Sequence, residues 1–199
     1  MAVLALVVYL TFIGVAFGWR MWLQRRRTGD SGLRGLSRTA PEILAGIALF
    51  GGAIAAFLAP VAELAGALPL LRPLDRPAAR VAAGMLLLVG FLVTVLAQLQ
   101  MGSSWRIGVD PQETTRLVTD GVFRYVRNPI YCGMLFALAG LALLVPNVLS
   151  FAGGALVAAG LEIQVRFVEE PHLARVQGER YRSYARSVGR FVPRVGRAS

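Results

Sequence analysis

Four long stretches of this chain contain no charged residue. They cover residues 1–19, 43–62, 81–105 and 130–161. A helix needs about 20 apolar residues to cross the hydrocarbon core of a bilayer, and each stretch reaches or nearly reaches that length. The pattern therefore predicts an integral membrane protein built from helices.

The fourth stretch has an interruption near its middle, at Pro146 and Asn147. Proline removes a backbone donor, and a Pro followed by Asn favours a turn. We therefore expect two helices that form a hairpin, joined at the far face of the membrane. The predicted fold is all-α, with five transmembrane helices, of which the fourth and fifth form the hairpin.

A shorter periodic segment follows the hairpin, between Glu169 and Arg190. Its larger apolar side chains recur at spacings of three to five residues, close to the period of a helix. They are Leu173, Val176, Tyr181, Tyr184 and Val188. The pattern predicts a C-terminal amphipathic helix on the cytosolic membrane surface.

Composition and charge also indicate a membrane protein, and the distribution of charge predicts its orientation in the membrane. The chain is 56% hydrophobic and 16% charged, whereas ordinary globular domains are about 25% charged. All 21 basic residues are Arg, and 18 of them fall in segments that the five-helix arrangement places on one side. Because positively charged loops stay in the cytoplasm, we expect the N-terminus outside and the C-terminus inside, in a bacterial inner membrane.

The net charge of +10 raises the alternative of a nucleic-acid partner. Membrane orientation and attraction to anionic lipid headgroups account for this charge, and the sequence lacks the aromatic and Gly motifs of RNA-binding domains. We therefore predict membrane lipids as partners and no nucleic acid. Residues 1–19 are interpreted as an anchor and not as a cleaved signal peptide, because the basic residues follow the apolar core.

Two polar clusters flank the fourth apolar stretch. The first, at its start, consists of Arg127, Asn128, Pro129 and Tyr131; the second, after its end, consists of Arg166, Glu169 and Glu170. A hairpin brings the two together. Arg side chains suit a carboxylate or phosphate, carboxylates suit an ammonium or ribose hydroxyls, and Tyr rings suit a purine or a cation. The combination suits a zwitterionic cofactor that carries a nucleoside.

The remaining polar residues receive simpler interpretations. Gln98 and Gln100 are expected to reach the membrane interface, and the single cysteine, Cys132, is expected to behave as a small hydrophobic residue. His172 lies either on the surface or in a proton-transfer role. No group of His, Cys and Asp has the spacing of a metal site, so no metal is predicted.

Three motifs occur in order in the C-terminal half: LVT-x-G, R-x-P-x-Y-x-G, and E-E-x-x-L followed by a Gly, Y-x-x-Y and a Pro. They fall on Leu117, Val118, Thr119 and Gly121; on Arg127, Pro129, Tyr131 and Gly133; and on Glu169, Glu170, Leu173, Gly178, Tyr181, Tyr184 and Pro193. In these motifs residues 101–193 resemble the superfamily of isoprenylcysteine carboxyl methyltransferases and phospholipid methyltransferases, which are integral membrane enzymes. Asn128 stands where the family usually has His.

The resemblance implies methyl transfer from S-adenosylmethionine to a lipophilic small molecule or lipid at the cytosolic interface. A three-helix region, residues 1–100, then precedes a cofactor-binding region, residues 101–199. The cofactor-binding residues expected on this basis are Leu117, Val118, Thr119, Gly121, Arg127, Asn128, Pro129, Tyr131, Glu169, Tyr181 and Tyr184. Catalytic roles are expected for Arg166, Glu169 and Glu170.

Two alternatives remain open at this point. NADPH-dependent membrane reductases of sterols or enones share an R-x-P-x-Y-x-G segment, although they are generally larger than 199 residues. A non-catalytic lipid-binding membrane protein would not need Arg127, Glu169 and Glu170 together. Binding of S-adenosylmethionine, S-adenosylhomocysteine and NADPH distinguishes the three readings.

Overall fold

The computed structural model describes residues 1–33, 39–108 and 116–197. Over these residues the regular structure is helical, and two isolated β-bridges are the only extended pairings. The helices are α1 (Ala2–Thr28), α2 (Ala40–Leu64), α3 (Pro77–Met101), α4 (Pro129–Leu144), α5 (Val148–Gln177) and α6 (Glu179–Ser187). Two of them contain a π-helical segment, Gly14–Trp19 in α1 and Val165–Glu169 in α5.

Four helices, α1, α2, α3 and α5, are long and apolar enough to cross a membrane. Their outward side chains are largely exposed Leu, Ile, Val and Phe, as expected for surfaces that face lipid. The protein is therefore an integral membrane protein. Helix α4 has only 16 residues, fewer than the about 20 that a bilayer requires, so the predicted fifth crossing stays a prediction.

Helix α1 is longer than the sequence predicted. The first charge-free stretch ends at residue 19, but the helix continues through the basic residues that follow it to Thr28 and ends at Gly29, whose φ of 78° is accessible to glycine. The reason is that Arg20 and Gln24 face the protein interior and are fully buried. Residues 34–38, which lie farther along the same basic segment, are outside the described part of the chain.

The connection between α4 and α5 contains the predicted break at Pro146 and Asn147. Asn147 is buried, and its Oδ1 accepts a hydrogen bond of 2.9 Å from the backbone N–H of Ser150, which caps α5. Its Nδ2 donates to the carbonyl of Ala59 in α2 at 3.0 Å. These bonds fix the turn against α2, while a full crossing and return of the pair through the membrane stays a prediction.

Close helix contacts rely on glycine. A Cβ added at Gly90 of α3 would lie 2.7 Å from the carbonyl oxygen of Gly133 in α4, and a Cβ at Gly133 would overlap the hydroxyl of Thr94. On the other side of the protein, a Cβ at Gly52 of α2 would lie 2.7 Å from the carbonyl oxygen of Gly153 in α5. Small residues allow this backbone approach between membrane helices.

The predicted C-terminal amphipathic helix is divided in two. Its first part, up to Gln177, continues α5 without interruption, and α6 begins only after Gly178. Gly178 has φ 56° and ψ −134°, a conformation that residues with a side chain rarely adopt. The helix therefore ends there, and α6 packs as a separate element through Tyr181 and Ala185 against Leu117.

Candidate active site

A cavity of about 250 Å³ lies between the start of α4 and the C-terminal part of α5. Side chains reach it from every helix except α2, and also from the segment between α3 and α4. Representative lining residues are Phe17, Gln98, Trp105, Tyr131, Glu169 and Tyr181. Residues on both sides of position 100 contribute, and the predicted division of the chain at that point stays a prediction.

Both π-helical segments border this cavity. Phe17 belongs to the segment in α1, and Val165 and Glu169 belong to the segment in α5. An i to i+5 turn inserts an extra residue into a helix and changes which side chains face the neighbours, and such turns occur often at functional sites. Their position here marks the cavity as the candidate site.

Nearly all the hydrogen-bond donors of the Arg127 side chain are paired with other groups of the protein. Arg127 is 7% exposed, and Nη1 donates to the carbonyls of Ala185, at 3.0 Å, and Val188. Nη2 donates to Glu170 Oε1 at 2.5 Å and to the carbonyl of Gly196 at 3.0 Å. Arg127 therefore holds the C-terminal segment against the start of α4, and only its buried Nε has no partner among the described residues.

Arg190 extends this ion-pair network. Its Nε and Nη2 each donate to a separate oxygen of Glu170 at 2.9 Å, a bidentate pair, and its Nη1 donates to Glu162 Oε1 at 2.9 Å. The hydrogen bond to Glu170 raises the pKa of Arg190 above its usual value. Sequence reasoning gave Arg190 and Glu162 no role, because partners 20 and 28 residues apart leave no local pattern.

Tyr131 and Glu169 meet inside the cavity. The Tyr131 hydroxyl donates to Glu169 Oε1 at 2.6 Å, and Gln164 Nε2 donates more weakly to the same oxygen at 3.5 Å. Both bonds reach Oε1, so among the described residues Oε2 of Glu169 has no hydrogen-bond donor. The two predicted polar clusters are thus brought together, with one carboxylate oxygen available to a ligand.

The start of α4 is joined to the segment after α6. Asn128 donates to the carbonyl of Arg190 through both its backbone N–H and its Nδ2, each at 3.2 Å. Pro129 is buried in the first turn of the helix and lines the cavity. Cys132 is buried and donates from Sγ to the carbonyl of Phe191 at 3.1 Å, as a packed structural residue does.

The residues of the LVT-x-G motif occupy different positions. Leu117 and Val118 line the cavity, whereas Thr119 and Gly121 do not. Gly121 has φ 60°, and a Cβ there would overlap the side chain of Gln100. Oε1 of Gln100 accepts a hydrogen bond of 2.9 Å from the backbone N–H of Val122, so the glycine allows Gln100 to hold this turn.

Tyr181 and Tyr184 line the cavity from α6. The Tyr184 hydroxyl donates to the carbonyl of Phe123 at 2.5 Å. Burial raises the pKa of Tyr184 to about 12, and burial also raises the pKa of Tyr181. Both phenols therefore stay neutral at physiological pH and offer ring faces and hydroxyl groups, not charge.

Of two other predicted residues, His172 and Arg166, only the first lines the cavity. His172 lines the cavity, and its Nδ1 lies 3.4 Å from Nη2 of Arg175. Arg166 is exposed, lies with its guanidinium 5.7 Å from the ring centroid of Phe167, and does not line the cavity. The hairpin thus unites Arg127 and Tyr131 with Glu169 and Glu170 but leaves Arg166 outside.

The interpretation of Gln98 as an interfacial residue is wrong. Gln98 is 1% exposed and lines the cavity. Its Nε2 donates to the carbonyl of Ala16 at 2.7 Å, which ties α3 to the π-helical segment of α1. Sequence position near a helix end did not reveal this burial, because the end of α3 is covered by α1.

The described residues contain no group of three or more His, Cys, Asp or Glu side chains that could hold a metal ion. The polar part of the cavity instead includes the carboxylate of Glu169, the ion-pair network around Glu170 and neutral phenols, together with the side chains of Gln98 and His172. Such a set can bind an organic ligand with donor groups through hydrogen bonds and ring contacts.

Comparisons with known proteins agree with this architecture. Residues 78–180 match the phospholipid methyltransferase family. Over 113 residues the chain is 33% identical to protein-S-isoprenylcysteine O-methyltransferase A of Arabidopsis thaliana, a match that covers 56% of this chain and 57% of that protein. The chain therefore spans little more than half the length of this relative.

A solved structure has a similar fold. It is that of the eukaryotic intramembrane Ras methyltransferase ICMT, with a TM-score of 0.61 and 16% sequence identity, covering 96% of this chain and 67% of that chain. At this identity the likeness shows the fold alone. The fold and the apolar helices together define an integral membrane protein with this architecture. More closely, the chain belongs to the phospholipid methyltransferase family.

Proposed function

We propose that this protein transfers the methyl group of S-adenosylmethionine to a lipophilic acceptor at the membrane interface. The observation that carries the proposal is the meeting of Tyr131 and Glu169 in a cavity to which all three sequence motifs contribute lining residues. This geometry leaves Oε2 of Glu169 without a hydrogen-bond donor among the described residues, so it can accept a hydrogen bond from a ligand.

The residues present fit such a cofactor. Oε2 of Glu169 suits the ammonium group or a ribose hydroxyl, and the rings of Tyr181 and Tyr184 suit a purine or the sulfonium cation. The buried Nε of Arg127 has no hydrogen-bond partner among the described residues, and Arg127 lines the cavity. When bound, S-adenosylmethionine supplies an electrophilic methyl group.

The protein's contribution is the positioning of the two reactants. Tyr131 orients Glu169, and the pairs of Arg127 and Arg190 with Glu170 hold the C-terminal segment over the start of α4. Alignment of two reactants in model systems lowers a barrier by up to about 7–11 kcal/mol. Glu170 is fully engaged by two Arg side chains, so we assign it to this ordering role.

Proton removal depends on the acceptor. A carboxylate acceptor needs no base, whereas an amine or hydroxyl acceptor uses Glu169 or His172, which line the cavity and, unlike Glu170, are not held by two Arg side chains. Arg166 stands outside the cavity, and the geometry gives no support to a catalytic role for it. We place the C-terminus and the cavity on the cytoplasmic side of a bacterial inner membrane, on the Arg distribution alone.

The two alternatives have less support. The family and the relatives described above are methyltransferases, which does not favour an NADPH-dependent reductase. A non-catalytic lipid-binding protein has no need of a cavity that joins Tyr131 to Glu169.

The test is calorimetric titration of the purified full-length protein with S-adenosylhomocysteine, and separately with NADPH. Binding of S-adenosylhomocysteine that weakens in Glu169→Gln supports the proposal, with Glu179→Gln, at an exposed position on α6, as the matched control. Binding of NADPH without S-adenosylhomocysteine would replace the methyltransferase proposal by the reductase.

The acceptor class is tested by transfer of a labelled methyl group. Phosphatidylethanolamine vesicles and S-farnesylcysteine are offered in turn with S-adenosylmethionine. Label that is released as methanol by mild base indicates a methyl ester on a carboxylate, and label that resists base indicates an N-methyl product. If neither phosphatidylethanolamine nor S-farnesylcysteine is labelled, the acceptor belongs to another class of lipophilic molecule.

A further inference from the structure

The first helix reaches the cavity although it lies outside residues 78–180, the part that matches the family. We infer that Arg20 of α1 is a positioning residue for ligand binding, and that it acts by fixing the indole of Trp105 in the cavity wall. This inference rests on the proposed function for the identity of the ligand. The placement of Trp105 itself does not depend on it.

Arg20 is fully buried, and its guanidinium holds the segment that follows α3. Nη2 donates to the carbonyl of Gly102, and Nη1 donates to Gln24 Oε1 at 3.1 Å. The guanidinium carbon lies 4.7 Å from the ring centroid of Trp105, within the distance of a cation–π contact. One face of the indole is therefore occupied by Arg20.

Two neighbouring contacts support the same segment. Gln24 Nε2 donates to the carbonyl of Ser103 at 2.9 Å, and the backbone N–H of Ile107 donates to the carbonyl of Gly32 at 2.9 Å. A Cβ at Gly32 would lie 3.2 Å from the indole of Trp105. The end of α1 and Gly32, which follows it, thus bind both ends of the segment that contains Trp105.

Trp105 is the part of this arrangement that a ligand can meet. It is 3% exposed and lines the cavity, as do Arg106 and Ile107 next to it. Arg20 itself does not line the cavity. The contact of Arg20 with the cavity wall therefore runs through Trp105 and its segment.

The burial of Arg20 is unusual enough to need a reason. A buried charge is costly unless it is well compensated, and among the described residues Arg20 forms no ion pair, while its Nε has no hydrogen-bond partner. Simple attachment of a helix end would be achieved by a neutral donor such as Gln24. A cation that stacks on an indole also fixes the orientation of that ring, and a side chain in the wall of a binding cavity needs a fixed orientation.

The first measurement needs no ligand. In a Trp19→Phe, Trp22→Phe background, Trp105 is the single Trp, and its emission and quenching by acrylamide report its exposure. Arg20→Met is expected to shift the emission to longer wavelength and to increase quenching. Arg25→Met, at an exposed position on the same helix, is the control and is expected to change neither.

The second measurement is a double-mutant cycle on the affinity for S-adenosylhomocysteine. Arg20→Met and Trp105→Leu are each expected to weaken binding by about tenfold. Because Arg20 acts through Trp105, the double variant should bind about as well as Trp105→Leu alone. Additive losses would show that Arg20 has a general structural effect and would overturn the inference.

The outcomes separate the inference from the proposed function. If the protein with native Arg20 binds no S-adenosylhomocysteine, the proposed cofactor fails, and the fluorescence of Trp105 decides the positioning role alone. Unchanged emission and quenching in Arg20→Met overturn that role whatever binds. Should Arg20→Met not fold, Arg20→Lys replaces it, since one ammonium cannot reproduce the planar fork, and the same shifts are expected.

Discussion

Tyr131 and Glu169 are joined by a hydrogen bond of 2.6 Å across 38 residues of sequence. Tyr131 lies in the first turn of α4, and Glu169 is the last residue of the π-helical segment of α5. The bond joins α4 to α5, the two helices that are connected through Asn147, and it places the carboxylate of Glu169 between them. The first prediction concerns this bond.

Tyr131→Phe removes only the hydroxyl and leaves the ring in place. Glu169 then loses its shortest hydrogen bond and its fixed orientation, at about 1–3 kcal/mol for a bond to a charged group. We expect the affinity for S-adenosylhomocysteine to fall accordingly in calorimetric titration. Tyr125→Phe is the control, because Tyr125 is exposed and its hydroxyl binds only the neighbouring Arg124 among the described residues. Equal affinities for the two variants would contradict the prediction.

Arg190→Met is expected to destabilise the protein. The substitution leaves Glu162 without its Arg partner and Glu170 with Arg127 alone, at a cost of about 1–3 kcal/mol. A chain of this size loses about 2–4 °C of thermal midpoint per kcal/mol. Arg186→Met, which breaks an exposed pair with Glu179, is expected to lower the midpoint by much less. The midpoints are compared by scanning fluorimetry in detergent, and a larger loss in Arg186→Met would refute the role of the network.

Gly133→Ala tests the contact between α3 and α4. The added methyl group would overlap the hydroxyl of Thr94, and overpacking of this kind costs about 1–3 kcal/mol. Adding Thr94→Ala to the variant should recover part of the lost stability. Gly154→Ala, where nothing lies within 4 Å of the new Cβ, is expected to be neutral or stabilising in the same melting assay. A Gly133→Ala protein as stable as the unsubstituted one would show that the helices separate easily.

The orientation in the membrane is tested by cysteine labelling in a Cys132→Ala background. Because 18 of the 21 Arg residues lie on one side of the predicted arrangement, we expect Ala67→Cys to react with an impermeant thiol reagent from outside the cell. Ser199→Cys is expected to react only after the membrane is opened. Reaction of both positions from the same side would exclude the predicted topology.

The apolar helices could be predicted from sequence because their causes are local. A charge-free run such as residues 43–62 forms a helix in lipid whatever its neighbours are, and α2 covers it. The break before α5 also has a local cause, in Pro146 and in the capping amide of Asn147. The ends were less predictable: α1 continues for nine residues beyond Trp19 because Arg20 and Gln24 find partners in another segment.

At the candidate site, sequence alone determined which residue types lie near one another, and only the tertiary structure decided what each one does. The motifs identified Arg127, Tyr131, Glu169 and Glu170. The long-range contacts show that Arg127 holds the C-terminal segment in place and that Arg166 lies outside the cavity. Gln98, Trp105 and Arg190 were not identified, since the groups that bury or bind them are distant in sequence. Burial and hydrogen bonding depend on which segments pack against each other in the folded protein. For a charged side chain, this packing decides whether the residue stabilises the fold, lines the binding site or does neither.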